Sequence, residues 1–222
     1  MNRVKNLIFD LDGTLIDSSE GVVEAVNYSL EKVGAPPQTP DAIKPYIGYP
    51  LEKMYPNFTD APVDELCAHF QEKATETVVS STVALPGVDS TLRELCDRGY
   101  RLAIATTKIK VHVNGIIDKF GWQDRFAVAT GGDEVEQVKP DPTIFLLTLE
   151  RLKAPKSESM AIGDTINDVI AARAVPLMVT AVLSPYGGRE KLMASGPDYF
   201  VENLPQLLPL LDGSGIETRD QR

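Results

Sequence analysis

Short apolar runs alternate with amphipathic stretches through most of the second half of the chain. Four runs have the length and composition of buried strands: RLAIA (101–105), FAVAT (126–130), SMAIG (159–163) and LMVTAVL (177–183). Stretches with helical character separate them, at 108–120, 142–152 and 165–174. A further strand-like run occupies residues 4–9. Apolar strands that alternate with helices are typical of βαβ units, so we predict an α/β core with a mostly parallel sheet buried on both faces.

The pattern differs between residues 18 and 83, where no run has convincing strand character. Residues 20–34 carry apolar side chains at helical spacing and end at a glycine, where a helix is expected to stop. Residues 63–81 have a second helical pattern, and a proline-rich stretch at 35–45 separates the two. This part of the chain is therefore predicted to be helical.

These two patterns predict the domain organisation. A chain of 222 residues is long enough for a substantial core and an additional unit. We predict a three-layer, Rossmann-like core made of residues 1–16 and 86–222, interrupted by a helical insert over residues 17–85. The polar tail, residues 214–222, is expected to fray.

Composition and charge restrict the class of partner. The chain is 43% hydrophobic and 24% charged, which is ordinary for a globular protein. Its formal net charge of -10 argues against general binding to nucleic acids or anionic membranes, and we expect neither as a partner. An anionic substrate would need a local cluster of hydrogen-bond donors and cations.

Cysteine usage and the apolar segments predict a location in the cell. Cys67 and Cys96 lack the CxxC spacing of zinc sites, and two lone thiols suit a reducing compartment. The N-terminal apolar run is interrupted by Asp10, unlike a signal peptide, and the apolar stretch 175–183 is too short to cross a bilayer. We expect a cytoplasmic protein that is a monomer or a homodimer.

Two acids follow the N-terminal apolar run, one residue apart. In an extended chain residues i and i+2 point the same way, so Asp10 and Asp12 are expected to project together while Leu11 turns away. Two like charges at that distance repel each other unless a cation or a shared proton intervenes. The alternative explanation is a strand-end turn at Asp12-Gly13.

Polar groups also follow three other strand-like runs: Thr106, Thr107, Lys108, Lys139, Asp164 and Asp168. Each has a structural explanation by itself, since a threonine or Asp164 can cap a helix and Lys139 can be a solvated charge. If a helix begins at Thr165, Asp164 and Asp168 lie on one of its faces. Ligands of open α/β sheets bind at the carboxyl ends of the strands, so these groups together predict one site.

The combination resembles the four motifs of the haloacid dehalogenase superfamily, specifically its phosphatase branch. The matching segments, in chain order, are DLDGT (10–14), Thr106, Lys139 before Pro140, and Gly163-Asp164 with Asp168. Residues 46–55 and 85–108 further resemble phosphoglycolate-phosphatase-like members, in which an inserted helical cap domain follows the first motif. The resemblance covers nearly the whole chain and implies that the insert is such a cap.

The resemblance implies a Mg²⁺-dependent phosphatase that acts through an aspartyl-phosphate. A carboxylate can attack phosphorus in line and divide one difficult hydrolysis into two easier steps, and Asp10 is the expected nucleophile. Asp12 is expected to protonate the leaving alkoxide and later to accept a proton from water. Thr106 and Lys139 are expected to bind the phosphoryl oxygens.

The resemblance also implies a set of metal ligands. Asp10, the main-chain carbonyl of Asp12, and Asp164 are expected to hold Mg²⁺, which prefers hard oxygen ligands and retains several waters. Asp168 is expected to contact the metal directly or through water. The metal would reduce the repulsion between an anionic nucleophile and a phosphate dianion.

Substrate contacts are less well defined. Thr107 stands where many phosphoglycolate-phosphatase-like members have asparagine, so it is a substrate-binding candidate whose contacts differ from theirs. The stretch 46–53 of the cap is expected to select the leaving group, with Lys53 a candidate for a substrate carboxylate. A solvated helix lysine is an equally good explanation of Lys53.

Several functions remain open at this stage. Phosphoglycolate is the leading substrate by resemblance, and pyrophosphate, nucleotides and small sugar phosphates are alternatives. Halide-removing members lack the second acid, so Asp12 argues against that activity. Sugar phosphomutases carry a cap histidine where this chain has Gly21-Val22-Val23, so mutase activity is a less favoured alternative. No cap lysine has the distinctive context that phosphonate-cleaving members require. A ligand-binding or interaction module that retains the fold is the non-enzymatic alternative.

Overall fold

The computed structural model describes residues 4–213. This part of the chain contains eight strands: β1 (Asn6–Phe9), β2 (Ile16–Asp17), β3 (Val83–Ala84), β4 (Arg101–Ala105), β5 (Phe126–Thr130), β6 (Ser159–Gly163), β7 (Met178–Val182) and β8 (Tyr199–Val201). Six of them form one sheet in the order β5-β4-β1-β6-β7-β8, and every neighbouring pair is parallel. The predicted parallel α/β sheet is confirmed.

Ten α-helices lie in the same part of the chain: α1 (Ser19–Lys32), α2 (Pro40–Ile43), α3 (Leu51–Met54), α4 (Val63–Ser81), α5 (Val88–Asp97), α6 (Lys110–Phe120), α7 (Thr143–Leu152), α8 (Ile166–Ala174), α9 (Arg189–Ala194) and α10 (Leu207–Leu211). Short 3₁₀ turns occur at Lys44–Tyr46, Tyr55–Asn57, Gly132–Glu134, Lys156–Glu158 and Leu204–Gln206. None of the helices within residues 4–213 combines the length and the apolar character needed to cross a membrane.

The sheet is the middle one of three layers. Along β1, Leu7 and Phe9 belong to the apolar cluster on one face, and Ile8 belongs to the cluster on the other. Leu92 of α5 packs in the first cluster, and Phe145 of α7 packs in the second. Because successive side chains of a strand point to opposite faces, a continuous apolar run such as β1 can be buried only between two helical layers.

The insert has its own apolar cluster, separate from the two that flank the sheet. Val26 and Leu30 of α1 pack there with Phe70 and Val78 of α4. The helices α1 and α4 approach closely at Gly21, where a Cβ would lie 2.7 Å from a main-chain oxygen of α4. This separate cluster supports the predicted division into a core and a cap, whose boundaries at residues 17 and 85 we retain as a proposal.

Two short strands connect the insert to the sheet. In β2 and β3, Ile16 pairs with Ala84 and Asp17 pairs with Val83, in an antiparallel ribbon. The hydroxyl of Tyr186, in the loop after β7, donates to the Asp17 carboxylate over 2.7 Å and accepts from the Ser18 N–H over 3.1 Å. The junction is therefore held both by the ribbon and by the core.

The predicted elements correspond closely to the structure in the regular segments. The helix predicted over residues 63–81 has those bounds as α4, whereas the helix predicted to begin at residue 108 begins at Lys110. The strands β2, β3 and β8 were not predicted, because two or three residues are too few to show a periodicity. The expectation for the tail, 214–222, lies outside the described residues.

Candidate active site

The carboxyl ends of three adjacent central strands form the candidate site. In the register of the sheet, Phe9 of β1 lies beside Ile104 of β4 and Ile162 of β6. The chain then leaves the sheet through Asp10, Thr106 and Asp164 respectively. Polar groups from three distant parts of the sequence therefore meet because their strands are neighbours and end at the same level.

Lys139 connects two of the acids at the centre of the site. Its ammonium lies 2.8 Å from an oxygen of Asp10 and 2.6 Å from an oxygen of Asp168, and only 2% of the residue is exposed. Burial by itself would lower the pKa of Lys139, but the charges of Asp10 and Asp168 raise it above its ordinary value. Lys139 is thus a buried cation, and the alternative that it is a solvated charge is wrong.

Asp164 presents an unpaired oxygen to the same site. One carboxylate oxygen accepts a hydrogen bond from the Thr14 hydroxyl over 3.0 Å. The other, Oδ2, is buried and has no hydrogen-bond partner among the described residues. Gly13 permits this arrangement, because its φ is +80° and a Cβ there would lie 2.2 Å from that oxygen. The turn at Asp12-Gly13 is therefore present and also makes room for Asp164.

Asp10, Asp164 and Asp168 form a buried acid cluster. One carboxylate oxygen of each lies within 4.8 Å of the others. Burial raises the pKa of Asp10 to about 7, against the opposing effect of Lys139, and burial also raises the pKa of Asp164 well above its ordinary value. Repulsion from the neighbouring carboxylates adds to the effect of burial in both cases, and the ammonium of Lys139 contacts Asp10 and Asp168.

The acid cluster fits a divalent cation. A cation would favour the ionised forms of Asp10 and Asp164, and it would give the unpaired oxygen of Asp164 a partner. Carboxylate oxygens are the hard ligands that Mg²⁺ prefers. The donor set present in the structure therefore matches the metal that the sequence predicts.

Asp168 has a second task at the start of α8. Its Oδ2 accepts from the N–H and the hydroxyl of Thr165, over 3.0 and 2.6 Å, while its Oδ1 accepts from Lys139. Thr165, rather than Asp164, is the N-cap of α8, so the capping explanation of Asp164 is wrong. Both oxygens of Asp168 are engaged by protein donors, which suits a residue that positions Lys139.

Asp12 has its own pair of donors. The hydroxyl of Ser18 donates to its Oδ1, and the ammonium of Lys108 lies 3.2 Å from its Oδ2. The repulsion between Asp10 and Asp12 is therefore not relieved by one shared cation, since Lys139 pairs with Asp10 and Lys108 pairs with Asp12. The sequence pattern marks Lys108 as a cation after Thr106-Thr107 without indicating its role, and no sequence motif points to Ser18 as a site residue.

The two threonines after β4 have different surroundings. Thr106 is fully buried, and its hydroxyl oxygen accepts from the N–H of Lys108 over 3.2 Å. The hydroxyl of Thr107 donates to the main-chain carbonyl of Gly48 in the insert over 3.4 Å. Thr106 therefore lies at the site, and Thr107 lies where the core meets the insert.

A cavity of about 540 Å³ lies between the insert and the sheet, beside Asp12 and Thr107. All residues from Tyr46 to Glu52 line it, so this stretch of the insert faces the cavity, and its expected role in selecting the leaving group stays a prediction. Lys53 does not line the cavity and is exposed on α3. Its expected contact with a substrate carboxylate stays a prediction.

His112, on α6, was not predicted as a site residue. It lines the same cavity and is only 5% exposed, and its Nε2 has no hydrogen-bond partner within residues 4–213. Burial, reinforced by the charge of Lys108, lowers the pKa of His112 to about 4. The imidazole is therefore uncharged near neutral pH.

Comparisons with known proteins agree with this geometry. Residues 7–182 match the family model described as haloacid dehalogenase-like hydrolase. The chain is 35% identical over 179 residues to a phosphoglycolate phosphatase of Psychrobacter arcticus, a match that covers 75% of this chain and 78% of that protein. It is 31% identical over 206 residues to the pyrophosphatase PpaX of Bacillus velezensis, with 93% and 95% covered.

A solved structure extends the agreement to the fold. The crystal structure of a haloacid dehalogenase-like hydrolase from Bacteroides fragilis superposes with a TM-score of 0.87 at 31% sequence identity. The superposition covers 92% of this chain and 99% of that one. The sheet and the helical insert are therefore both part of the shared architecture.

Proposed function

The chain belongs to the haloacid dehalogenase-like hydrolase family and is a phosphatase, and we propose that it hydrolyses phosphate monoesters of small metabolites through a phosphorylated Asp10. The relatives named as phosphatases weigh against the non-enzymatic alternative. The observation that carries the proposal is the ion pair of Lys139 with Asp10 beside the unpaired oxygen of Asp164. These residues would supply a nucleophile, a phosphate-binding cation and a metal ligand at the carboxyl ends of the strands.

Asp10 is the proposed nucleophile. Its carboxylate would attack phosphorus in line, forming an acyl phosphate while the bond to the leaving-group oxygen breaks. Lys139 favours the ionised carboxylate, and its ammonium is placed to bind phosphoryl oxygens together with Thr106. Water then attacks phosphorus, releases inorganic phosphate and restores Asp10.

Asp12 is the proposed proton donor and acceptor. Its side chain lines the cavity, so it lies on the side where a leaving group would depart. Protonation of a leaving alkoxide, followed by removal of a proton from water, requires a carboxyl group on that side. Lys108 and Ser18 fix both oxygens of Asp12 and thereby its orientation.

Asp10, Asp164 and the main-chain carbonyl of Asp12 would hold Mg²⁺. When bound, the ion would supply positive charge next to the transferring phosphoryl group. Asp168 would act on this site mainly through Lys139, because both of its oxygens already accept hydrogen bonds. Direct contact of Asp168 with the metal would have to share or replace one of these hydrogen bonds.

Membership of the family does not identify the substrate. The relatives are named for different substrates, phosphoglycolate in one case and pyrophosphate in another. The structure disfavours phosphomutase activity, because Val22, in the first turn of α1, lines the cavity with an apolar side chain. A mutase would need a proton carrier there.

The test is hydrolysis of p-nitrophenyl phosphate with Mg²⁺, with EDTA as the control. Turnover that depends on Mg²⁺, together with a phosphate group trapped on Asp10 by rapid acid quench and mass spectrometry, supports the proposal. Absence of turnover with Mg²⁺, Mn²⁺ or Co²⁺ would contradict it.

A further inference from the structure

The cavity beside Asp12 is where the leaving group of a substrate would lie. Its volume of about 540 Å³ is in the range of about 300–1,000 Å³ that is common for pockets that enclose drug-sized ligands. Glycolate, with two carbons, would fill a small part of it. The space therefore suits a larger leaving group.

The walls of this cavity are mostly apolar. The apolar side chains among its lining residues are Val22, Ile47, Pro50, Leu51, Met54, Phe70, Val78, Ile109, Val135 and Val138. Tyr46 and Tyr49 add aromatic surface. Burial of an apolar or aromatic ring against such walls is favourable by the area removed from water.

The charges around the cavity disfavour an anionic leaving group. Glu52, Asp133 and Glu136 all line it. Among the described residues that line the cavity, Lys108 is the only lysine or arginine, and its ammonium is already paired with Asp12. A carboxylate or a second phosphoryl group would lose water without gaining a free cation, and it would lie near three like charges.

Uncharged hydrogen-bonding groups are available instead. Gln71 and Gln137 line the cavity, and the imidazole of His112 lies in its wall. Amide and imidazole groups can hydrogen-bond a hydroxyl or ring N–H of the leaving group without an opposing charge. The cavity thus combines apolar walls with a few uncharged polar groups.

We propose that the preferred substrates are phosphate monoesters of uncharged alcohols that carry an apolar or aromatic ring, and that anionic leaving groups are discriminated against. This inference rests on the proposed phosphatase function and specifies its substrate class. It differs from the substrates for which the relatives above are named, since phosphoglycolate and pyrophosphate both release an anion.

The test compares two substrates that differ by one charge. Benzyl phosphate and 4-carboxybenzyl phosphate release the same kind of benzylic alcohol, but only the second carries a carboxylate into the cavity. With saturating Mg²⁺ we expect kcat/KM to be at least about tenfold higher for benzyl phosphate, since like charges placed together in a binding site are costly. Phosphoglycolate is expected to be a poorer substrate than benzyl phosphate.

Substitution of the acids that line the cavity tests whether they cause the discrimination against anionic leaving groups. The double variant Glu52→Gln, Glu136→Gln should raise kcat/KM for 4-carboxybenzyl phosphate. The ratio of kcat/KM for benzyl phosphate to that for 4-carboxybenzyl phosphate should fall by about 3-fold or more. Glu65→Gln is the matched control, because Glu65 is an exposed acid of the insert that does not line the cavity. An unchanged ratio in the double variant would overturn the assignment to these acids.

A binding measurement separates the failure of this inference from the failure of the proposed function. Calorimetric titration of the Mg²⁺-loaded protein with benzylphosphonate and 4-carboxybenzylphosphonate should show tighter binding of the first. No turnover of any ester would contradict the phosphatase mechanism, while the binding preference would still test the cavity. Equal or better binding and turnover of the carboxylated compounds, with Mg²⁺-dependent activity intact, would overturn the inference alone.

Discussion

The ammonium of Lys108 lies 3.2 Å from a carboxylate oxygen of Asp12, and both side chains are more than nine-tenths buried. Ser18, at the junction with the insert, holds the other oxygen. Asp12 is thus oriented by one residue of the sheet edge and one residue of the junction. Such a buried charge pair is costly to break, because the remaining charge is left without a partner.

Lys108→Met should therefore reduce activity through Asp12. The substitution keeps the length of the side chain but removes the charge, and we expect kcat/KM to fall by about 10- to 100-fold for an alkyl phosphate. The measurement is a double-mutant cycle with Asp12→Asn. If Lys108 acts by positioning Asp12, its removal should have little further effect in the Asp12→Asn background; fully additive losses would show an independent role.

Asp10→Asn should abolish turnover without unfolding the protein. The amide cannot attack phosphorus, so we expect a loss of at least about 10³-fold and no trapped phosphoenzyme. Because the substitution removes one charge from a cluster of three buried carboxylates and Lys139 keeps Asp168 as a partner, the Tm of the metal-free protein should stay equal or rise. Retained activity beyond what deamidation explains would contradict the assignment of the nucleophile.

Asp164→Asn should weaken the response to Mg²⁺. For the wild type, a metal concentration about 100 times its Kd should stabilise the fold by about 2.7 kcal/mol, visible as a rise in Tm. The variant should need a higher Mg²⁺ concentration for the same rise and for half-maximal activity. Asp124→Asn, an exposed acid away from the site, is the control; superimposable titrations for wild type and Asp164→Asn would rule out the metal role.

Asp12→Asn should slow formation of the phosphoenzyme most for poor leaving groups. An alkoxide needs a proton as its bond to phosphorus breaks, and a positioned acid contributes about 10²- to 10⁴-fold, whereas p-nitrophenolate leaves without help. Single-turnover rates of the first step, at saturating Mg²⁺, should therefore fall much further for an alkyl phosphate than for p-nitrophenyl phosphate. Equal losses would leave Asp12 only a positioning role.

His112 should make the fold less stable in mild acid. Its folded pKa of about 4 lies below the ordinary value of 6.5, so between these values the unfolded state binds a proton that the folded state does not. The free energy of unfolding is therefore nearly unaffected by this titration above pH 6.5, and it decreases as the pH falls from 6.5 toward 4. The loss between pH 7 and 5 should be about 2 kcal/mol.

The measurement is the free energy of unfolding in urea at pH 7 and pH 5, for the wild type and for His112→Leu. The variant lacks this titration, so its stability should decline less over that interval. His69→Leu is the control, because His69 is only partly buried and lies in the insert near Glu72. Parallel declines for wild type and His112→Leu would exclude the effect.

The order of apolar and polar side chains along the chain is enough to predict the architecture of the core and most of the candidate residues. Apolar runs such as 159–163 predicted buried parallel strands, and the helical spacing over 63–81 predicted α4 with its observed bounds. The acids after β1 and β6 were recognisable because they interrupt apolar runs at strand ends. These features are local: a few consecutive side chains decide which faces can be buried.

Which of these groups become partners depends on the folded arrangement of the strands and loops. Lys139 pairs with Asp10 across 129 residues of sequence, and Thr14 reaches Asp164 across 150. Lys108 pairs with Asp12 whereas Lys53 is exposed and does not line the cavity, although both are ordinary lysines in the sequence. The order of the strands sets these distances, and the charge around the cavity follows from them. No periodicity along the chain carries that information, because pairing energies depend on separation in space and on burial, and the fold alone fixes both.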